Sequence, residues 1–339
     1  MTRLTILAGT LLAGIALAGP ASAQWQPDRP IQIIVPWAAG GSTDQVTRVV
    51  APIIEEALGQ SVVVVNQPGA SGGIGTQAVL DAPRDGYTWT ANAIANNATY
   101  AVVGLVENTG IDDYRLYLHV ANVPVVSVNV DSPYQDFGQL LEAMQAGEDV
   151  TVATAGVNSS GGMALAAINE QVPINARMIS YDGGNPAVIA TASGEAVATT
   201  QLAVEQSEMI RGGRLRPLAA LSAQPLEIEG IDPIPSVTDW LPDMPLAPDY
   251  FGILIPVGAP QEVYDTMDAV WAEHVMTSEA LETYSVERGA FFDPSYGEEA
   301  RARAMPVAIS EACARVDRNE AVLDPSEIGI DCETMSEIE

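Results

Sequence analysis

The sequence contains no lysine: all 14 of its basic residues are arginine, set against 44 acidic residues for a formal net charge of −30. Without lysine there is no P-loop nucleotide site, no Schiff-base chemistry and no Tyr-x-x-x-Lys dehydrogenase pair. The acidic excess argues against nucleic acid and anionic membranes, since both demand a positive footprint. Only two histidines occur, His119 and His274, far apart in the chain, so a metal centre or a Ser-His-Asp triad has no support. The only cysteines are Cys313 and Cys332, and neither has a histidine beside it that would suggest a catalytic thiol. Past residue 23 no apolar stretch approaches the roughly 20 residues that span a bilayer. No cofactor is expected.

The first residues set the compartment. Arg3 precedes an apolar stretch from Leu4 to Leu17, and Ala21-Ser22-Ala23 is the small-residue pattern of a signal-peptidase site. Residues 1–23 are therefore predicted to be a cleaved signal peptide, with a periplasmic mature chain starting at Gln24. In that oxidising setting a Cys313–Cys332 disulfide is expected, free thiols being the alternative. The acidic balance fits a solvated surface adapted to salt; an acidic patch that docks a basic partner is the other reading. The mature chain exceeds the roughly 100–200 residues of a usual domain, which points to two lobes.

Four segments repeat one scheme. Residues 31–36 (IQIIVP) read as a buried strand; WAAGG follows, and then a helix opens at Ser42-Thr43-Asp44. Its apolar positions Val46, Val49, Val50, Ile53, Ile54, Ala57 and Leu58 have helical spacing, and Gly59 ends it. Asp44 reads as the N-cap. Residues 62–66 lead through QPGASGG into a helix near 74–82. Residues 150–155 (VTVATA) lead through GVNSSGG into MALAAINE, and ARMISY leads through DGGN into a helix with Pro186 as its first residue. Strand–glycine–helix units imply parallel sheets with crossover helices, which bind ligands at the carboxyl ends of the strands. Each loop would bring bare N–H groups and a helix N-terminus to that edge, an anion site without a basic side chain. For one such loop tight turns alone are a sufficient reason for glycine, but four at one point of the architecture favour binding. A nicotinamide enzyme fits poorly. Pro68 leaves the second loop short of an amide, and residues 86–93 (GYTWTANA) hold no acid for a ribose.

The segments IQIIVPWAAGGSTD, VVVVNQPGASGGIG, DGYTW, ATAGVNSS, SYDGGNPA, IRGGRLRPLA and YFGILIPVGAPQEV stand in the order seen in tripartite tricarboxylate transporter receptors. From about Gln26 to Gly289 the chain resembles this TctC/Bug family of extracytoplasmic solute-binding proteins. The resemblance implies an α/β, two-lobe periplasmic-binding-protein-like fold of type II, each lobe a mainly parallel sheet flanked by helices. Lobe 1 would comprise residues 24–123 and 250–339, including a tail from 306 that packs on it, and lobe 2 residues 124–249. Crossings are expected at 123–130 and 251–256. By the same resemblance the ligand contacts of lobe 1 would be Trp37, Ala39, Gly40, Gly41 and Ser42, with Gly69, Ala70, Ser71 and Gly72. Those of lobe 2 would be Ala155, Gly156, Asn158, Ser159 and Ser160, then Gly183, Gly184 and Asn185. Asn92 and Asn96, in a polar loop after the DGYTW strand, and Thr199, Thr200 and Gln201, at the rim of the second lobe, are further candidates. Family members often carry an acid where this chain has Val197, and its loss here favours a plain carboxylic acid over an amino acid.

The implied function is capture of a small carboxylate, a di- or tricarboxylate, by a monomeric receptor. The receptor would deliver it to a membrane permease of one large and one small subunit. The alternatives are an aromatic acid stacked on Trp37 and capped by Trp89 or Tyr100, a ligand-presenting subunit for a membrane kinase, and, remotely, a periplasmic enzyme.

Overall fold

The apolar runs found in the sequence become strands of two separate sheets. The computed structural model describes residues 25–107, 109–247 and 249–338, so the predicted signal peptide lies outside the described residues. The chain starts with β1 (Ile31–Val35), α1 (Ser42–Leu58), β2 (Val62–Asn66), α2 (Gly73–Leu80), β3 (Thr88–Ala93), α3 (Ile94–Thr99) and β4 (Tyr114–Asn122). It passes through Val123 and Pro124 into a second set. This comprises β5 (Val125–Asn129), α4 (Phe137–Ala146), β6 (Val150–Thr154), α5 (Ser160–Gln171), β7 (Ala176–Ser180), α6 (Gly184–Ala192), β8 (Ala198–Thr199), α7 (Ala203–Arg211) and β9 (Leu215–Ala220). A hairpin of β10 (Leu226–Ile228) and β11 (Ile231–Ile234) follows. The chain then returns as β12 (Asp249–Pro256), α8 (Gln261–Val270), α9 (Glu279–Arg288), β13 (Ala290–Tyr296) and α10 (Gly297–Asp317).

The first sheet has the order β13-β4-β12-β3-β1-β2 and the second β7-β6-β8-β5-β9. The fold is α/β with helices on both sheets. Within it the sheets are mixed, where mainly parallel ones were expected. Pairs joined by crossover helices are parallel: β1 with β2 and β3, and β6 with β7 and β8. Strands on the other side run back and pair antiparallel, β12 with β3 and β4, β13 with β4, and β5 with β8 and β9. The parallel half of each sheet is the half that carries the glycine loops.

Helix α1 shows why these elements pack. Val46, Val50 and Ile54, one turn apart, are completely buried against β1 and its neighbours. Each such burial is worth about 1.5–3 kcal/mol. In the same core Trp271 packs beside α1 and donates its indole N–H to the carbonyl of Leu118 at 2.7 Å.

The tail beyond 306 continues α10, which packs on α3 and β4. Cys313 sits among Ile94, Ala98, Ile111 and Leu116 and is bridged to Cys332, 19 residues on. Among the described residues no helix is long and apolar enough to cross a membrane. Closing a loop of this size restricts the unfolded chain by about 3 kcal/mol. The Cys313→Ser/Cys332→Ser variant is therefore expected to lose about that much stability in urea denaturation, and reductant should have the same effect on the wild type. An unchanged midpoint would contradict this account.

Candidate functional site

At each of the four strand ends the backbone turns sharply into a helix. After β1 the N-cap of α1 is Gly41, not Asp44. Asp44 is the third helical residue, and its carboxylate reaches back to accept the Gly40 N–H at 2.9 Å and pairs with Arg48 at 2.8 Å. Burial works against its charge, but Arg48, the Gly40 amide and Asn66 together hold its pKa below the ordinary aspartate value. Ser159 caps α5 and accepts the Gly162 N–H at 3.0 Å, so Gly161 and Gly162 lie inside the helix and not in the loop before it. Helix α6 starts at Gly184, which places Pro186 third and not first, still within the turn that needs no amide donor.

The four turns meet between the two sheets around two adjoining hollows that share Trp37 and Ala155. The larger, about 210 Å³, is lined by Gly69, Ala70, Ser71, Gly72, Gly156 and the stretch Ser180-Tyr181-Asp182. The smaller, about 20 Å³, lies against Ser42, Thr43, Asn96, Ser159, Ser160, Gly184, Gln201, Glu205 and Phe251. No arginine lines either hollow. Within the described residues the N–H groups of Ala70, Ser71, Ser160 and Gly184 make no backbone hydrogen bond. Ser160 and Gly184 are the first residues of α5 and α6, where the helix dipole adds positive potential, and Ala70 and Ser71 stand in the turn just ahead of α2.

Glycine is required at two of these positions. Gly72 has φ +91°, and a Cβ there would fall 2.2 Å from the Tyr100 hydroxyl and 3.1 Å from the Trp37 ring. Gly156 has φ +104°, and its Cβ would fall 2.2 Å from Oγ of Ser71 on the opposite lobe.

Several predicted contacts turn out to support the site without lining it. Asn92, read as a loop residue, belongs to β3 and is wholly buried. Its Oδ1 accepts the Trp37 indole N–H at 2.9 Å, and its Nδ2 reaches Asn97 and Tyr100. Thr199 donates to the Ala153 carbonyl at 2.9 Å and braces the second sheet, and Thr200 donates to that of Gly161 at 2.6 Å and ties the end of β8 to α5. Asn158 ties the lobes: its carbonyl accepts Asn96 Nδ2 at 2.6 Å and its Oδ1 accepts Thr99 Oγ1 at 2.8 Å and Arg315 Nη2 at 3.1 Å. Around Ala39, Gly40 and Gly41 the lobes touch. The Ala38 N–H donates to the Asp182 carbonyl at 3.1 Å beside Gly183, and a Cβ on Gly40 would lie 2.8 Å from Asn185 Nδ2. Trp89 and Tyr100 are completely buried, with Trp89 bonded to the Gly86 carbonyl, so neither is free to cap an aromatic ligand.

Sequence reasoning missed Glu205. Its carboxylate, 8 % exposed, accepts the Ser42 N–H from the other lobe at 2.8 Å and the Leu202 N–H at 3.3 Å. Gln201 completes the cluster when its amide is oriented to satisfy both ends, donating to Glu205 at 3.1 Å and accepting from Ala155 N–H at 2.6 Å. Burial raises the Glu205 pKa, and the Ser42 and Leu202 amides oppose that rise. The available signal was a glutamate three residues after Leu202, the spacing that serves a helix start.

The family model described as tripartite tricarboxylate transporter family receptor matches residues 46–298. The chain is 31% identical to protein BugT of Bordetella pertussis over 298 residues, 85% of this chain and 89% of that protein. It superposes on an R. palustris protein solved with adipate at a TM-score of 0.77, with 22% identity over 86% of this chain and 98% of the other. It likewise superposes on MatC from Rhodopseudomonas palustris with bound malate at 0.73, with 19% identity over 91% of this chain and all of the other. At those identities the two superpositions establish the two-lobe fold.

Because Gly156 faces Ser71 across the cleft, a side chain there strains the backbone and holds the lobes apart. Gly156→Ala is expected to weaken binding of any carboxylate that the wild type takes by at least about tenfold, or about 1.4 kcal/mol. Adding Ser71→Gly should recover part of the loss. Calorimetric titration of the three proteins decides; undiminished binding by Gly156→Ala would remove this contact from the closure.

Proposed function

The chain belongs to the tripartite tricarboxylate transporter receptor family, whose members are solute-binding receptors, and from that premise we propose that it captures a small carboxylic acid in the periplasm. The ligand is a di- or tricarboxylic acid, held between the lobes by main-chain amides and delivered to a permease of one large and one small membrane subunit. In this reading lobe 1 comprises residues 24–123 with 250–339 and lobe 2 residues 124–249. The backbone turns at Val123-Pro124 and ahead of Asp249 would let the lobes part.

One observation carries the proposal. Helix starts from both lobes converge on hollows that offer unpaired N–H groups and no cationic side chain. A hydrogen bond to a charged group is worth about 1.5–3 kcal/mol, and a helix end adds roughly 0.3–1 kcal/mol. A few such contacts reach the roughly −8 kcal/mol of micromolar binding. Ligands of that kind, adipate and malate, occupy two proteins of the same fold. Closing the cleft removes water, which strengthens each N–H contact, and the closed form would then be selected by the ligand.

A thermal-shift screen tests the reading. A carboxylic acid at about 100 times its dissociation constant should stabilise the protein by roughly 2.7 kcal/mol, whereas neutral sugars and amines should not. With a net charge of −30, the exterior repels an anion at low ionic strength, so affinity should rise between low and moderate salt. No shift with any carboxylate would refute the proposal; affinity that falls with salt would refute its electrostatic part.

A further inference from the structure

Glu205 puts a negative charge inside the site read as an anion receptor. It lines the smaller hollow with Trp37, Ser42 and Gly184, and that hollow holds about one water molecule. Helix starts from both lobes point at its carboxylate. Ser42 N–H of α1 donates at 2.8 Å, its own α7 begins beside it, and a Cβ on Gly184 of α6 would come within 2.0 Å of Oε1. The positive potential at the start of α1 is thus already used by a side chain of the protein. No arginine pairs with Glu205 among the described residues. The titratable groups that sense it are Tyr284 on α9 and Asp249 on β12; Asp182 lines the neighbouring hollow. The cation on α9 is Arg288, which lies over the Tyr284 ring, bonds Gln45 and pairs with Glu208, not with Glu205. The Ala70 and Ser71 amides at the larger hollow, and those of Ser160 and Gly184 beside Glu205, make no backbone hydrogen bond.

A second ligand carboxylate entering beside Glu205 would set two like charges a few ångströms apart in the closed cleft, where one of the pair must take up a proton. We infer that Glu205 is a specificity-determining residue: the end of the ligand that rests against it must donate a hydrogen bond, so the receptor takes one carboxylate together with a donor group, and a dicarboxylic acid enters as its monoanion. An amide, a hydroxyl or an un-ionised carboxyl meets that demand. This deepens the proposed function and rests on it.

Succinate, glutarate and adipate, each beside its own monoamide, provide the test by calorimetry at pH 8 and pH 5.5. At pH 8 the wild type should bind the monoamide of the preferred chain length at least tenfold more tightly than the diacid, about 1.4 kcal/mol. At pH 5.5 the gap should narrow, because the monoanion becomes available. Glu205→Gln keeps an oxygen for the Ser42 amide but loses the charge. It should bind the diacid at pH 8 at least as well as the monoamide, with little dependence on pH. A wild type that binds diacid and monoamide equally at pH 8, or prefers the diacid, overturns the inference and leaves the receptor reading intact. That comparison decides even if the variant does not fold. Binding of none of these compounds by either protein overturns both.

Discussion

The organising constraint of this molecule is that backbone N–H groups must be left without partners at the edge of each sheet and kept accessible there. A buried amide without an acceptor is costly, so the arrangement is stable only if water or a ligand meets it. The sequence has no lysine, and its arginines line neither hollow. In the proposed receptor the attraction for an anion would therefore come from peptide dipoles. That choice dictates the loops: side chains must be absent where a guest approaches the main chain, and Gly72 and Gly156 show how little space remains.

The two lobes are held by the same class of contact. Main chain meets main chain at Ala38 and Asp182, a carboxylate meets an amide at Glu205 and Ser42, and side-chain amides interlock at Asn96 and Asn158. Arg315 of α10, almost wholly buried, adds a strut to Val157 and Asn158 from behind the cleft. These contacts are polar, few and short. They suit a joint that opens in water, since each group exposed on opening finds a solvent partner of nearly equal worth.

How much of this was legible in the sequence depended on whether the signal was local. The strand–glycine–helix units, the burial of one face of α1 and the bridge between Cys313 and Cys332 follow from periodicity, turn chemistry and compartment. The sheets proved mixed because β5, β12 and β13 return from distant parts of the chain, and nothing near them records their direction. Asn92 was expected in a loop that reaches the cleft, yet it lies within β3 and accepts the indole N–H of Trp37 in the core. Glu205 escaped notice for the converse reason. It stands on a helix with no glycine loop before it, and only the folded chain brings it 2.8 Å from Ser42, 163 residues away.

Away from glycines such as Gly72 and Gly156, where a side chain has no room, a grip built from peptide groups would be indifferent to substitution, because every residue except proline carries the same N–H. Mutational drift can therefore seldom erase the affinity for acids as such. It acts instead on the few side chains that crowd the hollows, Trp37, Gln201 and Glu205 among them. Paralogues of such a scaffold would diverge in which acid they accept long before any of them ceased to accept acids at all.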